Sequence, residues 1–427
     1  MRNTVLALCL LGASSISAQF KVNANLPSDF QVDDAYLFAY DGSKDILLGK
    51  GAKKGNSLSI SVPKSYKGML RLVLFPSNNS IQMASENQDI NLTVDKVENK
   101  AIKQVTFLDT ANKYFETSQN GQKKKELIYP ALLQIKDYYK PTDAFYSALE
   151  KEIATLSSSP ETGGNFPFIN YYNETASKYV NNPDYKNIPL QEYSDFIVKS
   201  GSFLETSSLL KPILISYLNT AGKDNINADI DKLLKNVDIE TPRGQTVLSE
   251  LIDIFDTYGM ADMKDKYLKE AKELKCTIND RLASTIRGQE ELQIGAKLPD
   301  SKLYNTYNTK AKSISDVKAD HKVIIVWSST CSHCTAELPK IIEKYQALKS
   351  KKIEVIGLSI DADLKSYSDL ASKFPWVSAA DGKGWYSEYA KNYNVHATPT
   401  YFILDSSNKI VAKPDQLSQV FEYFNLK

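Results

Sequence analysis

Cys331 and Cys334, separated by Ser332 and His333, form the motif in the chain with the clearest chemistry. The motif follows the apolar segment 323–327, which is typical of a buried strand, and precedes a segment with helical spacing of apolar residues. The pair is therefore predicted on the first turn of a helix. The partial positive charge and free N–H groups at a helix N-terminus favour the thiolate of Cys331. Because the thiolate is the form that attacks disulfides, the motif predicts a redox-active dithiol.

Other uses of the motif are a structural disulfide, a metal site and peroxidase chemistry. A structural zinc site needs a second pair of ligands, which a single Cys-x-x-Cys lacks. Copper suits soft thiolates with an imidazole, so a copper-binding or metallochaperone module that uses Cys331, His333 and Cys334 is the alternative function. No Pro-x-x-x-Thr/Ser-x-x-Cys pattern of a peroxidase precedes either cysteine. The redox interpretation needs no metal and no other cofactor.

Two more side chains lie close to the pair in sequence. His333 adjoins the thiolate and could stabilise it while charged, or it could be an exposed histidine without effect. Glu337 follows Cys334 by three residues, so that the two can share one face of a helix. Its alternative is an ordinary solvated glutamate.

Size and composition limit the class of protein. A chain of 427 residues is too long for one core and predicts two or three domains. The net charge of +1 argues against nucleic acid or an anionic membrane as the main partner. Once the first 18 residues are removed, three cysteines remain, too few for a disulfide scaffold. The third, Cys276, has no partner at motif spacing and is predicted to be a buried core thiol.

Residues 1–18 have the pattern of a secretory signal peptide. An early arginine is followed by the apolar run 5–11 and by small residues up to Ala18. The run is far shorter than the ~20 residues that a membrane span needs. Acylation of Cys9 would instead anchor the chain, but small residues do not flank this cysteine. The pattern predicts a protein that is soluble after cleavage in the periplasm or another extracytoplasmic compartment.

Three regions follow the signal peptide. In residues 19–105, alternating apolar positions are broken by Gly, Asn and Pro, which predicts a small antiparallel β-domain. Residues 106–293 have helical periodicity and form a helical middle region. Residues 294–427 alternate between strands and helices, which predicts an α/β domain with a mixed sheet. Histidine and cysteine are absent from 19–105, so we expect no catalysis there.

The last region resembles the thioredoxin superfamily, and within it the secreted bacterial thiol-disulfide oxidoreductases of the TlpA and ResA type. The resemblance depends on features in a fixed order: the segment 294–300, a strand that ends in Trp327, the Cys-x-x-Cys, Pro339, and the segment 395–405. The layout of the whole chain also resembles envelope proteins of Bacteroidota that have a β-rich N-terminal domain.

The resemblance implies roles for several residues. Pro399 is expected to be cis and to lie against the cysteines, and Thr398 and Pro399 are expected to present backbone to an extended substrate. Glu337 is expected to handle the proton of Cys334. The chain departs from its relatives at Thr330, where many have tryptophan, and at Ile325, where cytoplasmic thioredoxins bury an aspartate.

These observations together predict an extracytoplasmic thiol-disulfide oxidoreductase that exchanges disulfides with envelope proteins carrying disulfides or dithiols. The TlpA-like resemblance favours a reductase or isomerase over an oxidase. His333 points the other way, because DsbA-like oxidases also have histidine between their cysteines. A reductant outside the cytoplasm needs electrons delivered across the membrane, so a membrane electron donor is implied.

Overall fold

The computed structural model describes residues 19–75, 77, 79–157, 164–182, 184–222, 225–395 and 397–426. The predicted signal peptide lies outside these residues. None of the helices described is long and apolar enough to cross a bilayer.

The N-terminal part consists of two packed β-sheets. Within the described residues its strands are β1 (Phe20–Asn25), β2 (Asp34–Asp41), β3 (Lys44–Gly51), β4 (Ser57–Val62), β5 (Lys67–Phe75), β6 (Asn79–Glu86), β7 (Ile90–Glu98) and β8 (Ala101–Phe107). The sheet orders are β4-β1-β7-β8 and β3-β2-β5-β6. Alternate residues of each strand point inward, and the inward-facing side chains of both sheets share one apolar core. The pairing is antiparallel as predicted, except that β1 and β7 are parallel.

Helices make up the middle of the chain, as the sequence predicts. They are α1 (Thr110–Lys136), α2 (Ala144–Ser157), α3 (Pro167–Tyr179), α4 (Leu190–Lys199), α5 (Phe203–Thr206), α6 (Leu210–Ala221), α7 (Ile226–Val237), α8 (Pro242–Thr257), α9 (Ala261–Lys272) and α10 (Asp280–Glu290). Helix α8 is buried along most of its length in the core of this region. Two of its carboxylates, Glu250 and Asp253, pair with buried Arg281 of α10 at 3.0 and 2.7 Å.

The C-terminal part is an α/β layer structure around a mixed sheet. Its elements are β9 (His321–Trp327), α11 (Ser332–Ser350), β10 (Ile353–Ser359), α12 (Leu364–Ala371), β11 (Val377–Ala380), α13 (Glu388–Asn392), β12 (Thr400–Asp405), β13 (Ile410–Ala412) and α14 (Leu417–Tyr423). The strand order is β11-β10-β9-β12-β13. Strands β9, β10 and β11 are parallel, whereas β12 is antiparallel to β9 and β13. The mixed sheet predicted from the sequence is confirmed, and this part has the thioredoxin-like fold.

Two local predictions differ from the structure. The pattern after the second strand of the C-terminal region predicts a helix from Asp361 to Lys373. The observed α12 is shorter, because the Asp361 side chain is buried against the loop before Cys331 and Asp363 caps the helix. Cys276 is half-buried rather than buried, and its sulfur accepts a hydrogen bond from Gln245 Nε2 at 3.2 Å. The prediction of a buried core thiol was therefore wrong.

Candidate active site

Cys331 is the N-cap residue of α11, and its sulfur accepts one of the backbone N–H groups that have no partner within the helix at its start. Its backbone is extended, and its Sγ accepts the backbone N–H of Cys334 at 3.2 Å. The thiol is half-buried, whereas Cys334, one turn further along the helix, is only 1% exposed. Both cysteines are free thiols in this structure. The two sulfurs therefore differ in access, since an outside molecule meets Cys331 first.

The surroundings of the two thiols shift their pKa values in opposite directions. Burial alone would raise the pKa of Cys331, but hydrogen bonds outweigh it and leave the pKa below the usual value. These bonds come from the Cys334 thiol, the Thr398 side chain and the backbone N–H groups of Cys334 and His333. Burial, reinforced by the neighbouring Cys331, raises the pKa of Cys334 to about 12. The contrast suits Cys331 to attack first and Cys334 to attack only a sulfur already held beside it.

Alkylation should reveal this contrast directly. With iodoacetamide at neutral pH we expect Cys331 to react far faster than Cys334, because a thiol with a pKa of about 12 has about one molecule in 10⁵ ionised there. Peptide mass mapping over time measures both rates, with half-buried Cys276 as an internal thiol outside the motif. Equal rates for Cys331 and Cys334 would contradict the asymmetry.

The peptide bond between Thr398 and Pro399 is cis and lies beside the cysteine motif. Strand β12 begins at the next residue, Thr400, which is paired with Val326 of β9 in the sheet. This pairing brings the Thr398 carbonyl oxygen to 3.2 Å from the Cys331 Sγ, which donates to it. The backbone before Pro399 therefore lies next to the Cys331 sulfur, which a substrate disulfide would approach.

Glu337 is half-buried on α11, one turn after Cys334, and accepts a hydrogen bond from the hydroxyl of Tyr401 on β12. Tyr401 is 2% exposed and is the cross-strand partner of Ile325. Sequence analysis did not identify Tyr401. The sequence could have indicated Tyr401, because it is a tyrosine in an apolar strand segment and a buried tyrosine hydroxyl usually needs a hydrogen-bond partner.

His333 is exposed on the first turn of α11, and its backbone N–H contributes to the low pKa of Cys331. Among the residues that the structure describes, no three His, Cys, Asp or Glu side chains are grouped as metal ligands.

Asp361, which sequence analysis also missed, fixes the loop before Cys331. It lies just after β10, is 4% exposed, and accepts hydrogen bonds from three serine side chains and one backbone N–H. The donors are Ser328 Oγ (2.7 Å), Ser329 N (2.9 Å), Ser329 Oγ (2.9 Å) and Ser359 Oγ (2.7 Å). A buried carboxylate with this many donors stabilises one loop conformation. Asp361 thereby positions the approach to Cys331.

The N-terminal β-sheets touch the sheet edge at which Cys331 lies. Because β9, β10 and β11 are parallel and in register, the loops that follow them leave the sheet at one edge. Lys100, in the turn between β7 and β8, pairs with Asp363 after β10 at 3.2 Å. Phe38 of β2 stacks on Tyr386 after β11, with ring centroids 4.4 Å apart. Two of the three loops at this edge are therefore held against the β-sheets.

Comparisons with known proteins agree with the family resemblance of the C-terminal part. The family model named Redoxin matches residues 293–415. A thiol-disulfide oxidoreductase ResA of Bacillus cereus is 30% identical over 132 residues, which are 29% of this chain and 71% of that protein. ResA of Bacillus subtilis (strain 168) is 26% identical over 149 residues, or 33% and 78% of the two chains.

A solved structure of the thioredoxin domain of a thiol-disulfide oxidoreductase from Bacteroides vulgatus is also similar. It is 22% identical and covers 31% of this chain and 96% of its own, with a TM-score of 0.28. The sequence relatives carry the assignment, since the match extends over more than two thirds of the Bacillus cereus protein. The chain thus belongs to the TlpA/ResA-like thiol-disulfide oxidoreductases of the thioredoxin superfamily.

Proposed function

We propose that this enzyme exchanges disulfides with proteins of the cell envelope, with Cys331 as nucleophile and Cys334 as resolving thiol. Members of this family act on protein thiols in general. The observation that carries the assignment of roles is the contrast between the two sulfurs. Cys331 is accessible and has a lowered pKa, whereas Cys334 is buried and has a raised one.

Reduction of a substrate would take two steps. The Cys331 thiolate attacks one sulfur of the substrate disulfide, a mixed disulfide forms, and the other substrate sulfur leaves as a thiolate. Cys334 then loses its proton and attacks the Cys331 sulfur, which forms the Cys331–Cys334 disulfide and releases the second substrate sulfur. Two electrons pass from the cysteine pair to the substrate, and the reverse sequence would oxidise a dithiol.

The segment Thr398-Pro399 is the proposed substrate-binding backbone. Its carbonyl contact with the Cys331 sulfur, at 3.2 Å, puts main-chain groups beside the reacting atom. Pairing through backbone atoms would accept extended segments of varied sequence. Such binding suits an enzyme with several protein substrates.

We further propose that the chain works outside the cytoplasm, soluble after cleavage of residues 1–18, as a reductase or isomerase supplied by a membrane electron donor. We also propose that the chain after residue 18 is divided into domains 19–105, 106–293 and 294–427. Two measurements separate this function from the copper-binding alternative. One is the reduction of insulin by the purified full-length protein, and the other is the metal content of anaerobically purified protein. Insulin reduction without bound copper supports the oxidoreductase; bound copper without insulin reduction supports the alternative.

The direction of exchange depends on how strongly the Cys331 thiolate is stabilised, and His333 offers a test. Replacing His333 with alanine removes the imidazole, and replacing it with proline also removes an N–H that faces the sulfur. Both changes weaken thiolate stabilisation, so we expect the reduction potential to fall by about 30 mV for His333→Ala and further for His333→Pro. Redox titration of the three proteins measures this. Equal potentials would remove His333 from the mechanism.

A further inference from the structure

Tyr401 is a buried tyrosine beside the cysteine pair with no part in the chemistry described so far. It lies on β12, two residues after Pro399, and belongs to the same apolar cluster as Cys334 and Ile325. Its hydroxyl donates to the Glu337 carboxylate on α11. Three groups therefore lie on one side of the sheet, at the first turns of α11. They are the Tyr401 hydroxyl, the Glu337 carboxylate and the Cys334 thiol.

The charges around Tyr401 keep its hydroxyl protonated. Burial raises the pKa of Tyr401, and the hydrogen-bonded carboxylate of Glu337 raises it further, with smaller contributions from Cys334 and Cys331. The phenol thus remains a hydrogen-bond donor wherever the enzyme would work.

We propose that Tyr401 is a positioning residue for the second step, and that its hydroxyl fixes the orientation of the Glu337 carboxylate, which lies one helical turn from Cys334 on α11. The proposal rests on the proposed function and assigns a role to a residue that the family resemblance did not name. During resolution, the Cys334 thiol gives its proton to Glu337 as its sulfur attacks the Cys331 sulfur. The Cys331–Cys334 bond forms, the bond between Cys331 and the substrate breaks, and the substrate sulfur leaves with the electron pair.

Other ionisable groups adjoin this arrangement and enter any pH dependence. Within one turn of Glu337, α11 carries His333, Cys334 and Lys340, and Cys331 caps the start of this helix. Helix α14, which packs against β12, carries Glu422 and Tyr423. Strand β9 contributes apolar side chains here, among them Ile325. Because Tyr401 is hydrogen-bonded directly to Glu337, removing the Tyr401 hydroxyl should affect the Glu337 carboxylate before it affects these other groups.

The test follows both steps in one experiment on the full chain carrying Cys276→Ser. Stopped-flow mixing with 5,5′-dithiobis(2-nitrobenzoate) releases one thionitrobenzoate when Cys331 attacks and a second when Cys334 resolves the mixed disulfide. For Tyr401→Phe we expect the first phase to be unchanged. The second-phase rate should fall about tenfold across the pH profile, because the carboxylate loses the hydrogen bond that orients it.

Two comparisons isolate the mechanism. Glu337→Gln should abolish the acid limb of the second-phase pH profile, and adding Tyr401→Phe to it should change nothing more. Tyr345→Phe is the matched control, since Tyr345 is also a buried tyrosine in this cluster whose hydroxyl donates to a carboxylate, Glu354 at 2.9 Å. That variant should leave both phases as in the wild type.

A Tyr401→Phe profile that superimposes on the wild type would overturn the proposal. Additive effects of Tyr401→Phe and Glu337→Gln would overturn it as well, because Tyr401 would then act without Glu337. Absence of both phases in the wild type would instead show that the proposed function is wrong, and the role of Tyr401 with it.

Discussion

A Cys334→Ser variant will retain its protein substrates as mixed disulfides on Cys331, because the thiol that releases them is gone. Serine is close to cysteine in size, so it can fill the buried position and leave the backbone N–H contact with Cys331 in place. We expect reduction to stop after one turnover. Non-reducing electrophoresis and mass spectrometry of acid-quenched cells should detect adducts that disappear on addition of dithiothreitol.

Two variants make this result specific. Adding Cys331→Ser should abolish the adducts, because the attacking sulfur is then missing, whereas Cys276→Ser should leave them unchanged. A Cys334→Ser protein that turns over at the wild-type rate without adducts would contradict the assignment of the resolving thiol.

Replacing Asp361 with alanine should destabilise the protein by about 3–5 kcal/mol, since it leaves several buried donors unpaired and each such group is worth about 1–3 kcal/mol. The rate of attack by Cys331 should fall as well, because the loop that positions it is released. Urea unfolding measures the first effect, and the thiol assay with a small disulfide measures the second.

Exposed Asp316 provides the control for this substitution. It also accepts two backbone N–H groups, from Lys312 and Ser313 at 3.0 Å, but water can replace it there. Asp316→Ala should therefore have a much smaller effect. Equal unfolding midpoints for Asp361→Ala and the wild type would contradict the positioning role of Asp361.

The sequence was most informative where structure depends on nearby residues. The position of Cys331 at a helix N-terminus followed from an apolar strand, a short polar loop and helical spacing, all within about 25 residues. The start of α8 is predicted locally as well, since Thr241 followed by Pro242 is a cap-type residue before a first-turn proline, and the Thr241 side chain does accept the Gly244 N–H at 3.1 Å.

Contacts between distant segments were not accessible in this way. The bond between Tyr401 and Glu337 depends on the register of β12 against β9, which is set by two strands separated by more than 70 residues. The donors to Asp361 come from the loop after β9, more than 30 residues earlier, as well as from β10. The stacking of Phe38 on Tyr386 is a contact between the N-terminal β-sheets and the C-terminal α/β part, almost 350 residues apart in sequence. Local patterns specify which elements form, but only tertiary packing decides which side chains meet.

Redox titration of the full-length protein in glutathione and dithiothreitol buffers, with thiols counted by mass spectrometry, tests the central claim most directly. We predict one two-electron transition that joins Cys331 to Cys334, with a potential closer to the thioredoxin value of about −270 mV than to the DsbA value of about −120 mV. A pair that forms no disulfide anywhere in this range would contradict the oxidoreductase mechanism, and a potential near the DsbA value would contradict the assignment as a reductase or isomerase.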